Sequence, residues 1–456
     1  MGLRDEARGI FADALHEVEI GAVMRREVRC EGGWLSVRGL RYRLAEFERV
    51  VVVAIGKAAL PMVEGAMSAL GNVVRVEGVV VGVSLPRVAD ARLRYLVGSH
   101  PVPDERSGAA ADAVLDLMTS CDERCLVLVL LSGGASSLVE RPLSAAMTME
   151  DAAELHRELV HSGLAIGDMN TLRKHFSAVK GGRLAVAARG VTMCTLIVSD
   201  VPPGDASVVG SGSTVADPTT VEDCWRIVRE HAESLRLSEK LRRYFEAAEL
   251  VETPKAGDVA FAKTDAMVLL SSDELCAAAR KSAERRGFAV VVDNGCDEWG
   301  YREAAAYLLD RAEVLARENE RVCVLSAGEV SVPLSGKVGV GGRNQQFVLE
   351  CARLAAERGL VVTVLSAGSD GIDGNSQVAG GVADETTVKR ARELGLSVED
   401  ALARFDSYEL LAALGDAIVT GPTGNNLRDL RVLLVGRVPK GGTTVDDAIQ
   451  RHVVTA

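Results

Sequence analysis

Val50-Val51-Val52-Val53-Ala54-Ile55-Gly56-Lys57-Ala58-Ala59 is the stretch that decides the fold. Its first six residues are apolar and mostly β-branched, with no polar break. Such a run suits a strand buried on both faces of a parallel sheet. Gly56 ends the run, and Leu60, Val63, Met67 and Leu70 then recur at helical spacing. Strand, small-residue turn and helix make the repeating unit of a doubly wound α/β domain.

The same unit recurs on both sides. Further strands are predicted at 78–83, 126–131 and 194–199, with helices at 109–118 and 151–162. A second series predicts strands at 267–270, 289–292, 322–326, 360–366 and 431–435, alternating with helices such as 272–287 and 301–317. Between the two series, residues 251–258 carry Pro254 and Gly257 and read as a connection. The expected division is 1–255, a Rossmann-like α/β/α domain with a parallel sheet, and 256–456, a smaller α/β domain. A C-terminal tail could return to the first domain.

Composition narrows the function. The 456 residues include 64 acidic and 52 basic side chains, for a net charge of -12 and a pI near 5.3. That balance excludes a fold-wide basic surface and argues against a nucleic-acid partner. No apolar run reaches membrane-spanning length, and the mixed-charge start Met1-Gly2-Leu3-Arg4-Asp5-Glu6 does not read as a secretory signal. A cytoplasmic enzyme with no membrane partner is the expectation. Most of the nine cysteines sit in apolar runs and read as core filler. Cys121 and Cys125 have no second pair at zinc-ligand spacing.

Ligands of open α/β sheets gather beyond the carboxyl ends of the strands, so the chemistry is sought there. Lys57, at a strand-to-helix turn, can reach a phosphate, although the spacing is not that of a Walker A loop. Ser132, Gly133, Gly134, Ser136 and Ser137 form a small-residue turn whose backbone N–H groups suit an anion. A helix running to the double glycine at 181–182 would put Arg173, Ser177 and Lys180 on one basic face for a phosphate or carboxylate. Asp200 could accept a hydroxyl proton or help hold Mg²⁺. In the second half, Glu329 follows a strand, Arg343 stands where a glycine turn meets a helix start, and Asp370 or Asp373 could hold Mg²⁺ with nucleotide oxygens. The turn 421–426 offers further donors, Asn426 among them.

Taken in order, the motifs VVVAIGKAA, GSHPVPD, LSGGASSL, NTLRKHFSAVKGGRLA, IVSDVPPGD, GGRNQQ, GSDGIDG and GPTGNN resemble glycerate 2-kinases of the MOFRL type over about 51–434. The resemblance implies a Rossmann-like domain, a smaller α/β domain, and transfer of the ATP γ-phosphoryl to the 2-hydroxyl of D-glycerate with a divalent cation. It points to Lys57 and Arg343 as catalytic and to Asp200, Glu329, Asp370 and Asn426 as cleft residues. The chain departs from the family at Gln377, where an acid is common, and at Ala327 and Val330. ATP and glycerate are the implied small-molecule partners, and a homodimer is one assembly open to it.

Two other classes compete. An NAD(P)H-dependent hydroxypyruvate reductase would share the Rossmann-like sheet, but G-x-G-x-x-G with an acid about 20 residues on is missing. A non-catalytic sugar-phosphate-binding protein could use the 132–137 turn, but it needs only one polar loop, and this chain has many.

Overall fold

β-Branching and the lack of polar side chains put the 50–55 run at the middle of a sheet. The computed structural model, which describes residues 2–72, 74–202, 208–334 and 338–436, places it there. A short antiparallel meander precedes it: β1 (Val28–Glu31), β2 (Trp34–Val37) and β3 (Leu40–Arg43). The main sheet then takes β4 (Arg49–Ile55), β5 (Val76–Gly82), β6 (Leu93–Val97), β7 (Cys125–Ser132), β8 (Thr192–Val198) and β9 (Thr264–Leu270). Their spatial order is β6-β5-β4-β7-β8-β9, and every neighbouring pair is parallel. This is the order of a Rossmann sheet. The chain winds one way from β4 and the other way from β7, so the switch point lies between these two strands. Val50, Val51, Val52, Val53 and Ala54 are fully buried there.

Four helices, Met149–His161, Ile166–Phe176, Val221–Glu230 and Glu239–Glu246, interrupt the β7-to-β9 half. They share an apolar cluster. Phe176 stands at its centre, with ring centroids 5.4 Å from Tyr244 and 6.4 Å from Phe245. The cluster fixes the helix Ile166–Phe176, whose other face carries polar residues, Asn170 and Arg173 among them.

The second sheet holds β10 (Ala289–Val292), β11 (Val322–Gly328), β12 (Thr363–Gly368), β13 (Gly380–Ala383), β14 (Ala417–Ile418) and β15 (Asp429–Val435). Its order is β10-β11-β15-β12-β13-β14. Only β10 and β11 are parallel; β15 lies antiparallel between β11 and β12. Helices Tyr301–Ala316 and Arg343–Arg358 pack their apolar sides into its core.

The chain forms two compact units: Leu15–Leu275 with Pro422–Arg428, and residues up to Ala14 with Cys276–Gly421 and the chain from Asp429. The 255/256 division expected from sequence differs in three ways. β9 completes the first sheet by pairing with β8. The first helical turns belong to the second unit, where Asp13 accepts from Ser282 at 2.7 Å and from Arg286 at 2.8 Å, and Glu6 pairs with Arg321 at 2.6 Å. Pro422–Arg428 belongs to the first unit. The expected return of the C-terminal tail falls beyond residue 436, outside the described residues. Among the described residues no helix is long and apolar enough to cross a membrane, and Cys121 and Cys125 are both free thiols.

Removing the ring at the centre of the helical cluster leaves a cavity. Phe176→Ala is therefore expected to lower stability by about 3–5 kcal/mol, read as a fall in the urea midpoint with the slope unchanged.

Candidate active site

At the switch point, the backbone after β4 meets the backbone after β7. The Lys57 N–H donates to Gly133 O at 2.9 Å, and the Ala58 N–H donates to Ser132 Oγ at 3.0 Å. The second bond uses the buried Ser132 hydroxyl to shape the turn, so Ser132 supports the site from below. The Lys57 side chain is exposed.

Two glycines then allow a close approach. A Cβ on Gly133 would collide with the Asp200 carboxylate. A Cβ on Gly134, which has φ +83°, would lie 2.9 Å from His100 Cδ2, 3.3 Å from His100 Nε2 and 3.3 Å from Lys57 Cγ. Asp200, His100 and the Lys57 stem therefore rest directly on this bare backbone. Burial raises the Asp200 carboxyl above its ordinary range, against the pull of Lys57 and Arg428. Asn426 Nδ2 donates to Asp200 Oδ2 at 3.3 Å. Burial and the Lys57 charge hold the His100 imidazole down at about 4.

Beside the glycines, Ser136 Oγ lies 2.9 Å from Ser211 Oγ, which in turn donates to Asn170 Oδ1 at 2.9 Å. Asn170 and Arg173 share one face of the helix Ile166–Phe176. The Arg173 Nε is buried and makes no hydrogen bond among the described residues. Ser137 is buried and donates inward to Gly134 O at 3.3 Å.

The expected basic face does not form. The helix ends at Phe176, and Ser177 and Lys180 lie beyond it. Lys180 is fully buried and ion-paired with the equally buried Glu140, which His156 Nε2 also meets at 3.0 Å. Burial pushes the Glu140 carboxyl up, but Lys180 and His156 outweigh it and hold it at about 2. A buried cation with a buried partner is structural, because freeing it for a ligand would strand the other charge. Sequence spacing could not reveal this, since Glu140 lies 40 residues away.

In the second unit, antiparallel insertion of β15 brings its first residue to the carboxyl ends of β11 and β12: Asp429 is in register with Gly328 and Gly368. The helix beginning at Arg343 supplies the cation. Arg343 Nε donates to Asp429 Oδ2 at 2.6 Å, Nη2 to Asp429 Oδ1 at 3.2 Å, and Nη2 pairs with Glu329 Oε1 at 2.7 Å. Asp373 is buried and accepts from the Asn344 and Gln345 N–H groups at 3.1 and 2.9 Å and from both their side-chain amides. With all this coordination, Asp373 serves as the helix cap. Burial and Asp429 push its carboxyl up to about 6. Asp370 Oδ1 accepts from the Ile372 N–H at 3.0 Å. Among the described residues no three His, Cys, Asp or Glu side chains form a metal-binding group.

The structure thus assembles Lys57, Gly133, Gly134, Asp200 and Asn426 in one unit, with Ser136 and Arg173 alongside. Arg343, Glu329 and Asp370 are gathered in the other. Sequence reading missed Asp429 and His100. The signal for His100 was its place just after β6, a strand whose partly exposed Leu93–Val97 pattern hid it.

Doubly wound α/β proteins bind small ligands at such a switch point, and this chain is of that class. Residues 6–246 match a domain of unknown function, DUF4147, and residues 322–429 match the MOFRL family. The chain belongs to the family that these two describe. It is 37% identical over 393 residues to a protein of Agrobacterium vitis named, provisionally, a hydroxypyruvate reductase, covering 85% of this chain and 87% of that one. It is 35% identical over 395 residues to the D-glycerate 2-kinase of Thermotoga maritima, covering 85% and 91%. A crystal structure of glycerate kinase from Thermotoga maritima matches with a TM-score of 0.82 at 30% identity, over 95% of this chain and 99% of that one.

The buried ion network makes a prediction. Lys180→Met strands Glu140 and should cost about 3–5 kcal/mol, seen in urea unfolding at neutral pH. The network also sets the acid response. His156 titrates at about 4 when folded against an ordinary 6.5, and Glu140 at about 2 against 4.5. Across both windows the unfolded chain binds more protons, so stability should fall as pH drops below 6.5, and fall further below 4.5. A series of urea midpoints against pH checks the sign.

Proposed function

We propose that the protein is an ATP-dependent kinase that phosphorylates the 2-hydroxyl of D-glycerate, giving 2-phospho-D-glycerate and ADP. The observation that carries this is the Asp200 carboxylate and Lys57 held on one glycine pair at the switch point. The named kinases among its relatives support the same reading.

Phosphoryl transfer asks for alignment and charge neutralisation, with little covalent chemistry from the protein. Asp200 orients the acceptor hydroxyl and takes its proton as the oxygen bonds to the γ-phosphorus and the bond to ADP breaks. Its raised proton affinity suits that task. Lys57 neutralises charge on the phosphoryl oxygens. Gly133, Gly134 and Ser136 present donors to an anionic group, and Arg173 adds a cation. Arg343, clamped by Asp429 and Glu329, offers a guanidinium already fixed in orientation. Asn426, on Asp200, and Asp429, on Arg343, are three residues apart in the chain.

Mg²⁺ is commonly held by one or two carboxylates together with substrate phosphates. Asp370 offers a hard oxygen donor of that kind beside the Asp429 carboxylate at the start of β15, whereas Glu329 is engaged by Arg343 and would reach such an ion only on releasing it. When bound there with ATP, the ion would neutralise phosphate charge. A cytoplasmic location goes with these substrates.

A reductase reading, which one relative's name carries, lacks its nucleotide fingerprint: β4 is followed by Gly56-Lys57-Ala58-Ala59-Leu60-Pro61. Purified protein with ATP, Mg²⁺ and D-glycerate should release ADP and form the 2-phospho isomer, identified by phosphorus NMR. Oxidation of NADH by hydroxypyruvate without ADP release would overturn the reading. Lys57→Ala and Arg343→Ala should each lower kcat by about 10²–10³; the melting temperature should be unchanged in Lys57→Ala and lowered in Arg343→Ala, which strands the buried Asp429. Near-normal turnover in either would remove that residue from the role.

A further inference from the structure

His100 is a polar side chain at the switch point that the mechanism above does not use. Its ring lies on the Gly134 backbone beside the Lys57 stem, and the residue remains exposed. Neither ring nitrogen makes a hydrogen bond among the described residues. Both nitrogens of this exposed ring are left for solvent or a ligand, unlike the fully buried His175, whose Nδ1 lies 2.9 Å from Thr171 O.

The ligand follows from the chemistry of the ring. A neutral imidazole has one donor and one acceptor nitrogen. A phosphate or carboxylate can use the donor and leaves the acceptor idle. A hydroxyl, itself a donor and an acceptor, matches either nitrogen. Partial cover by its neighbours and the nearby Lys57 charge keep the ring neutral. The charge needed for a phosphate is supplied by Lys57 instead.

Position narrows it further. Asp200 lies on Gly133 and His100 on Gly134. Consecutive Cα atoms are about 3.8 Å apart. Two polar groups laid on neighbouring residues suit two hydroxyls on neighbouring carbons. We propose that His100 holds the acceptor's second hydroxyl, the 3-hydroxyl of glycerate, while Asp200 faces the 2-hydroxyl that is phosphorylated. This assigns His100 as a specificity residue for vicinal hydroxy acids, and it rests on the kinase reading.

The test compares D-glycerate with D-lactate, which lacks the 3-hydroxyl. Calorimetry with a nonhydrolysable ATP analogue present gives both dissociation constants for the wild type and for His100→Ala. The wild type should prefer glycerate. The variant should lose about tenfold in glycerate affinity and change lactate affinity by less than about twofold, so that the preference collapses. His100→Asn, which keeps a donor and an acceptor, should recover part of it. His100→Phe keeps the ring on Gly134 without either nitrogen, and it gives the same comparison should the alanine variant fail to fold. An unchanged preference, or an equal loss for both acids, overturns the assignment while ADP release from glycerate by the wild type leaves the kinase reading standing. Absence of that ADP release removes the kinase reading, and this assignment with it.

Discussion

The site of the first unit depends on a close approach of side chains to bare backbone. At Gly133 and Gly134 there is no Cβ, and into that missing volume come a carboxylate, an imidazole and the stem of a lysine. Any larger residue at 133 would displace Asp200. Sheet order makes the approach possible, because only at the reversal between β4 and β7 do two loops diverge and leave room above the strand ends. The buried valines of β4 fix the strand, the strand fixes the turn, and the turn fixes the lysine.

The second unit reaches a comparable result by other means. There the cation is held by ion pairs: Asp429 at the start of β15 and Glu329 just past the end of β11 grip Arg343, and Asp373 caps the helix that carries it. The antiparallel strand β15 makes this arrangement, since its first residue stands level with the last residues of β11 and β12. A lysine in this place would lose the paired contact of a planar fork with a carboxylate.

How much of this was legible in the sequence varies with the range of the interactions involved. The continuous apolar runs of β4, β7 and β8 and the long amphipathic helices are local signals, and they stand where the pattern puts them. β6, β13 and β14 are not of that kind. Leu93–Val97 is partly exposed, Gly380–Ala383 contains two glycines, and Ala417–Ile418 is only two residues long. The turn 132–137 was legible as a small-residue turn at a strand's carboxyl end, but the division of labour within it was not. Ser132 and Ser137 face inward, while Ser136 meets Ser211. Lys180 was misread because its partner, Glu140, comes from a distant part of the chain. Asp429 escaped notice because it opens a strand, and a strand's opening residues belong to the opposite end from that where ligands gather in a parallel sheet.

The central place of β15 has a consequence for how the protein is made. A ribosome delivers β10 to β14 first, and until residue 435 has emerged, β11 and β12 each keep an unpaired edge. The second sheet is therefore completed from its middle, by the last of its strands to emerge. Truncated products ending before Asp429 would present two apolar strand edges to any neighbouring polypeptide, and quality control would meet them as sticky fragments.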